Sequence, residues 1–193
     1  MPIRGIGETL ESGRWVASAR FIDDIAERRA QQRYTLTYRF TERLRLGVEW
    51  NPLADDVGLI GNYIAVEETA NRPALLLGTS SDRIGTATGR VYYATLSKNL
   101  DGWIGVPVAP YVGASWSDRS NRWEELAGLQ YRLFDGAVSF THLWDGVNLH
   151  HTVDWGGLGE ALEIEALQSA TLGLIVAEQD GEHFVGVLLG GVF

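Results

Sequence analysis

Cysteine is absent from the 193 residues, which removes disulfides, thiolate metal sites and cysteine nucleophiles together. Lysine occurs once, at Lys98, so arginine carries nearly all of the positive charge. Its planar fork suits enclosed, bidentate pairing with carboxylates. Positive charge is the minority in any case: the net charge is -9 and the pI near 4.9. That balance argues against nucleic acid as a partner, because phosphate binding calls for a basic surface. No apolar run approaches the roughly 18 residues of a spanning helix. Met1 to Gly5 has no hydrophobic core of the signal-peptide kind; taken literally this says cytoplasm, although a mature chain restarted with a methionine would read the same. There is no linker or low-complexity tract, so residues 1–193 read as one domain, with residues 1–12 open to reading as an N-terminal extension.

What is abundant is alternation. Arg33, Thr35, Thr37 and Arg39 take turns with Tyr34, Leu36, Tyr38 and Phe40, and Arg43, Arg45, Gly47 and Glu49 with Leu44, Leu46, Val48 and Trp50. Period two over eight residues is a strand signal, since a helix would scatter these residues around its axis. A turn at Thr41 to Arg43 pairs Phe40 with Leu44, Tyr38 with Leu46, Leu36 with Val48 and Tyr34 with Trp50, so that the apolar faces coincide. Arg39 then falls opposite Arg45, and two like charges side by side call for carboxylates from across an enclosed space. Similar segments recur at Gly13–Ile22, Val57–Glu67, Arg72–Asp82, Gly89–Lys98, Val106–Asp118, Arg122–Phe134, Gly136–Asp145, Asn148–Trp155, Thr171–Glu178 and His183–Phe193. Gly, Asn and Asp clusters separate them. The expectation is an all-β chain of about twelve antiparallel up-and-down strands (range 10–14). A helical turn fits Asp23 to Gln31, and Gly156 to Ser169 reads equally as strand or short helix.

Alternation alone leaves open which face looks outward. A soluble lipocalin-like binding barrel would put the apolar face inside; a membrane barrel would put it against lipid. The polar face mixes glycine, threonine, arginine and glutamate, which fits a tightly curved, ion-paired interior. Aromatics gather at strand ends (Trp15, Tyr34, Trp50, Trp116, Trp144 and Trp155), as in interfacial girdles. The last segment ends on Phe193, in step with Val185, Val187 and Leu189. A strand closing on phenylalanine, together with segments such as Arg33–Phe40 and Ala109–Trp116, resembles the broad class of bacterial outer-membrane β-barrels. The resemblance implies a transmembrane barrel in the outer membrane of a Gram-negative-type bacterium. It implies Phe193 as the signal read by the barrel-assembly machinery, a lipid bilayer and other envelope proteins as partners, and periplasmic turns at Thr41–Arg43 and Phe134–Gly136. No particular family within the class is indicated, so no functional residue carries over from it.

Few residues carry chemistry. The hairpin Gly136–Asp145 with Asn148–Trp155 sets His142 opposite His151, a pair able to hold a divalent metal through neutral imidazoles. Both also fit as belt residues beside Trp144, and a third ligand is not evident. Ser139, Asp154, His150 and Asp145 are the only hydrolase-like grouping. The register separates Ser139 from His150 along the strand, and no Gly-x-Ser-x-Gly elbow appears. Gly5–Gly7 and Gly156–Gly159 lack the context of nucleotide motifs. The remaining candidate is a lumen lined by Arg33, Arg39, Arg45, Glu49, Gln130 and Arg132, with Glu125 nearby. It reads as a narrow pore selecting small polar or anionic solutes, with no cofactor and no enzymatic activity, or as a charged network that plugs a structural or accessory envelope subunit. Eight-stranded barrels fill with side chains and open pores need roughly sixteen strands; twelve lies between.

Overall fold

The computed structural model describes residues 14–134, 137–156, 163–164 and 169–193. The proposed N-terminal extension, the glycines at 5–7, Asp135 and Gly136 of one turn, and most of the ambiguous stretch at 156–169 lie outside the described residues.

Twelve strands form in chain order: β1 (Trp15–Ile22), β2 (Gln32–Arg39), β3 (Leu44–Asn51), β4 (Asp56–Val66), β5 (Ala74–Ser81), β6 (Arg90–Ser97), β7 (Val108–Ser117), β8 (Arg122–Leu133), β9 (Val138–Trp144), β10 (Leu149–Trp155), β11 (Thr171–Gln179) and β12 (Glu182–Val192). Each pairs antiparallel with its neighbours in sequence, and β1 pairs with β12 from Val16↔Val192 to Ile22↔Gly186. The sheet is therefore a closed up-and-down barrel without a free edge, the arrangement that satisfies every ladder in a medium lacking water. The predicted registers are those of the structure: Tyr34↔Trp50, Leu36↔Val48 and Tyr38↔Leu46 between β2 and β3, and Trp144↔Leu149, His142↔His151 and Ser139↔Asp154 between β9 and β10.

The helical turn expected across Asp23–Gln31 shrinks to α1 (Arg28–Gln31), because Ile22 and Ile25 are spent on burial rather than on a helical face. A second turn that periodicity did not announce, α2 (Asp101–Ile104), ends at Gly105 in the left-handed region with φ 68°. β4 carries a bulge at Ala65, where the register shifts between Ile64 and Val66. Such an extra residue interrupts the alternation along the strand.

Orientation is decided by exposure. Leu36, Val48 and Leu129 are 44%, 44% and 37% exposed, whereas Arg39 is 7% and Glu49 0%. The apolar face looks out and the polar face looks in. The lipocalin-like alternative is thereby overturned, because a soluble barrel would have to leave Val112, Leu174 and Val185 facing water. Two aromatic bands lie on the outside. At the end that carries the start of β1 and the end of β12, called here the terminal end, Trp15 lies tilted against Tyr38 (4.8 Å between ring centroids) and Tyr38 meets Phe40 edge-on (5.0 Å). At the opposite, far end, Tyr34 meets Trp50 and Tyr92 meets Trp116.

The apolar core is small and sits inside the barrel. Ile22, Ile25, Ala30, Ile175 and Ala177 cluster near the far end, with Ile84, Phe184 and Leu188 against them.

Candidate functional site

The site is the lumen. Parity along β1 to β3 aims Arg20, Arg33, Arg39, Arg45 and Glu49 inward, because each lies one residue from an outward apolar side chain. Glu49 is the hub. Its Oε2 accepts from Arg33 Nε at 2.9 Å and Nη2 at 2.6 Å, and Arg33 Nη2 also donates to Ser80 Oγ at 2.9 Å. Its Oε1 takes Arg90 Nη1 and lies 4.0 Å from Arg29 Nη2. Arg90 reaches it from the first position of β6 through space above Gly58, the glycine paired with Glu49. A β-carbon at Gly58 would fall on the Arg90 guanidinium, so only glycine fits there.

A second tier lies toward the terminal end. Arg39 and Arg45 face each other in register, and Arg39 Nη1 donates to the Glu42 carbonyl at 3.5 Å. With the Asn62 amide turned so that its oxygen accepts from Arg45 Nη2 at 2.6 Å, the amide nitrogen meets the Tyr93 hydroxyl. Between the tiers is a cavity of about 210 Å³ whose polar lining includes Ser18, Arg33, Thr35, Arg45, Ser80 and Tyr93. Ser18 Oγ and Thr35 Oγ1 share a hydrogen bond of 2.6 Å there.

The wall built from β1 to β6 and α1 is strongly positive. Arg20, Arg29, Arg33, Arg39, Arg45 and Arg90 stand against Glu49 and Asp56 alone among the described inward groups within these elements. The opposite wall is mixed. Gln130 is buried, and Arg132 lies near it beside a small cavity of about 40 Å³ with Asn99 and Asp101. Both amide atoms of Gln130, Thr95 Oγ1, Ser97 Oγ and Thr141 Oγ1 are buried without a partner in the protein, a lining that water would satisfy. In the connection between β5 and β6, outside the strands, Arg83 pairs with Glu124. Burial works to lower the Arg83 pKa, but the hydrogen bond and charge of Glu124 outweigh it, and the guanidinium ends above its ordinary value.

The histidines separate into two roles. His150 is inside and buried: Nε2 lies 2.9 Å from Asp145 Oδ2, and Nδ1 accepts from the Glu178 backbone N–H at 3.1 Å. Accepting at Nδ1 places the proton on Nε2, so the ring donates to Asp145 and both nitrogens are used. Asp145 also caps its own turn by accepting from Val147 and Asn148 N–H at 3.0 and 2.8 Å. Ser139 pairs with Asp154, far along β10 from His150, so the hydrolase-like residues are not brought together. His142 and His151 face outward with Nδ1 atoms 2.6 Å apart, and Tyr131 lies 5.7 Å from the His142 ring. Among the described residues no group of three or more His, Asp or Glu is placed to hold a metal.

Of the aromatic set, Trp15 and Trp155 lie at the terminal end and Tyr34, Trp50, Trp116 and Trp144 at the far end, all directed outward. Phe193 closes the seam: its N–H donates to Trp15 O at 2.9 Å and its carbonyl accepts from Trp15 N at 3.0 Å. Glu125, named with the lumen in the sequence, pairs with outward Ala114 and so belongs to the outer face; the inward carboxylate is its neighbour Glu124. Three lumen arginines escaped the sequence reading. Arg20 stood at a legible alternate position of β1. Arg90 and Arg29 gave no periodic signal, one at a strand start and one in an irregular connection.

A closed, antiparallel barrel with an apolar exterior, two aromatic bands and a charged lumen has the architecture of a porin-like transmembrane β-barrel. The fold is shared with a solved porin. The chain is similar to the KdgM porin, with a TM-score of 0.59 at 11% identity over 93% of this chain and 99% of that one. A looser likeness is to OprB of Pseudomonas putida in a low-pH structure, with a TM-score of 0.39 at 11% identity over 92% of this chain and 62% of that one. No protein-family model and no curated protein matches the chain.

Proposed function

We propose that the protein is a non-enzymatic, narrow channel in the outer membrane of a Gram-negative-type bacterium, passing small polar or anionic solutes. The observation that carries this reading is the inward excess of arginine on the wall of β1–β6 and α1, where among the described residues of these elements six guanidiniums face Glu49 and Asp56. In a lumen walled by low dielectric, such an imbalance attracts anions and repels cations. The bilayer is the principal partner in this reading, and β12, sealed to β1, is the strand that the assembly machinery reads.

Reversal potentials across a planar bilayer under a salt gradient test it. Anions are expected to permeate several-fold better than cations, and the preference is expected to shrink in Arg33→Gln and Arg45→Gln. Cation preference rejects the anion selectivity, and a bilayer that stays silent with correctly folded protein even when the 23–31 connection is shortened rejects the channel.

One observation favours a second reading, a structural or accessory subunit with a plugged lumen: Ile25 and Arg29 are buried across the far mouth. Its mark is stable co-purification with other envelope proteins after mild detergent extraction.

A further inference from the structure

The far mouth is crossed by two connections that reach to opposite walls. The β1–β2 connection, residues 23–31, turns inward instead of projecting: Ile25 is fully buried and Arg29 nearly so. Ile25 and Ala30 pack on Ile175 and Ala177 of β11. A few residues on, Arg29 places Nε 2.9 Å from Asp56 Oδ2 of β4 and donates from Nη2 to the Gly89 carbonyl at 2.7 Å. In the strand order β4 lies five places from β11, almost across the barrel, so these few residues bridge the opening.

The β5–β6 connection, residues 82–89, crosses the other way. Ile84 packs on the same apolar cluster. Gly85, at φ 87°, lies against Gln179 of β11 so closely that a β-carbon would stand 2.8 Å from its Cδ. Arg29 ties the two crossing segments together at Gly89. Its Nη1 is buried without a partner, and Nε, although 2.9 Å from the Asp56 carboxylate, makes no hydrogen bond, so this anchor rests on one guanidinium whose hydrogen-bonding capacity is only partly used.

We propose that the far mouth is a gate, and that the β1–β2 connection is the latch holding it shut, with Arg29 as its polar catch and Ile25 as its apolar one. This rests on the channel reading. Withdrawal of residues 24–31 breaks no strand pairing, because they contribute no residue to the barrel ladders, and Asp23, whose N–H donates to the Val185 carbonyl at 3.4 Å, stays with the wall. Release therefore costs the small cluster, the contacts of Arg29 and the packing of α1 on the turn at Pro52–Ala54, and the barrel ladders stay intact. Movement of an inserted connection against a rigid wall is an ordinary way to switch between two states.

The test is single-channel recording in planar bilayers on three proteins: the unmodified chain, Arg29→Ala, and a chain in which residues 24–30 are replaced by Gly-Asn-Gly. Folding of each is verified by heat-modifiable migration in electrophoresis and by β-sheet circular dichroism. The shortened chain is expected to conduct steadily, with an open fraction at least tenfold above the unmodified protein. Arg29→Ala is expected to reach the same open level at an intermediate open fraction. Equal, steady conductance in all three overturns the latch and leaves the channel standing. Silence in all three folded proteins overturns the channel reading, and the latch with it.

Discussion

Glu49 shows how one inward carboxylate organises its surroundings. It is wholly buried, bonded to Arg33 and Arg90 and close to Arg29. Removing one partner of a buried ion pair leaves the other charge uncompensated, which costs far more than the pair contributes net. Glu49→Gln is therefore expected to destabilise the barrel by roughly 3 kcal/mol, read as the shift in urea unfolding from lipid vesicles. A change below about 1 kcal/mol would mean that solvent in the lumen screens the network. Of this cluster, Arg33 and Glu49 were legible because they sit on clean alternating strands. Arg29 and Arg90 were not, since a residue in an irregular segment or at a strand's first position has no periodicity from which its direction can be read.

At the scale of strands and turns, the exterior is the quantity to probe. Leu36 is outward on β2 and paired with Val48 of β3. Leu36→Arg puts a charge into the apolar band and is expected to cost about 2–4 kcal/mol if the residue lies at bilayer mid-depth, measured by equilibrium unfolding from vesicles. No loss there would remove lipid from that face. The β9–β10 turn makes a separate case. Asp145 accepts from two backbone N–H groups and holds His150, so Asp145→Ala strands several donors at once. A loss of about 1–3 kcal/mol is expected in the same assay, with no effect on ion selectivity because the residue lies in the turn, away from the arginine wall. Strand positions and the β2–β3 and β9–β10 registers were readable from period-two patterning. The collapse of the Asp23–Gln31 turn into α1 was not, because the segment's direction is set by β11 and β4, residues remote in sequence.

At the scale of the whole molecule the chain combines an acidic total charge of -9 with a lumen wall dominated by arginine. The two facts belong to different surfaces: much of the acidic excess lies outside that wall, at connections and rims such as Asp23, Asp24, Glu42, Asp101 and Glu182. Net charge thus says little about what the interior attracts, and the selectivity measurement described above is the readout that separates them. Alternation of polar and apolar residues determined the strands, their number and the neighbours each would accept, since a slip of one residue would turn every side chain to the wrong face. Closure decided the rest. Only when β12 meets β1 does a polar face become an enclosed space, in which like charges must share carboxylates and an irregular connection can fold across an opening. Those relations join residues far apart along the chain, where local patterning carries no information.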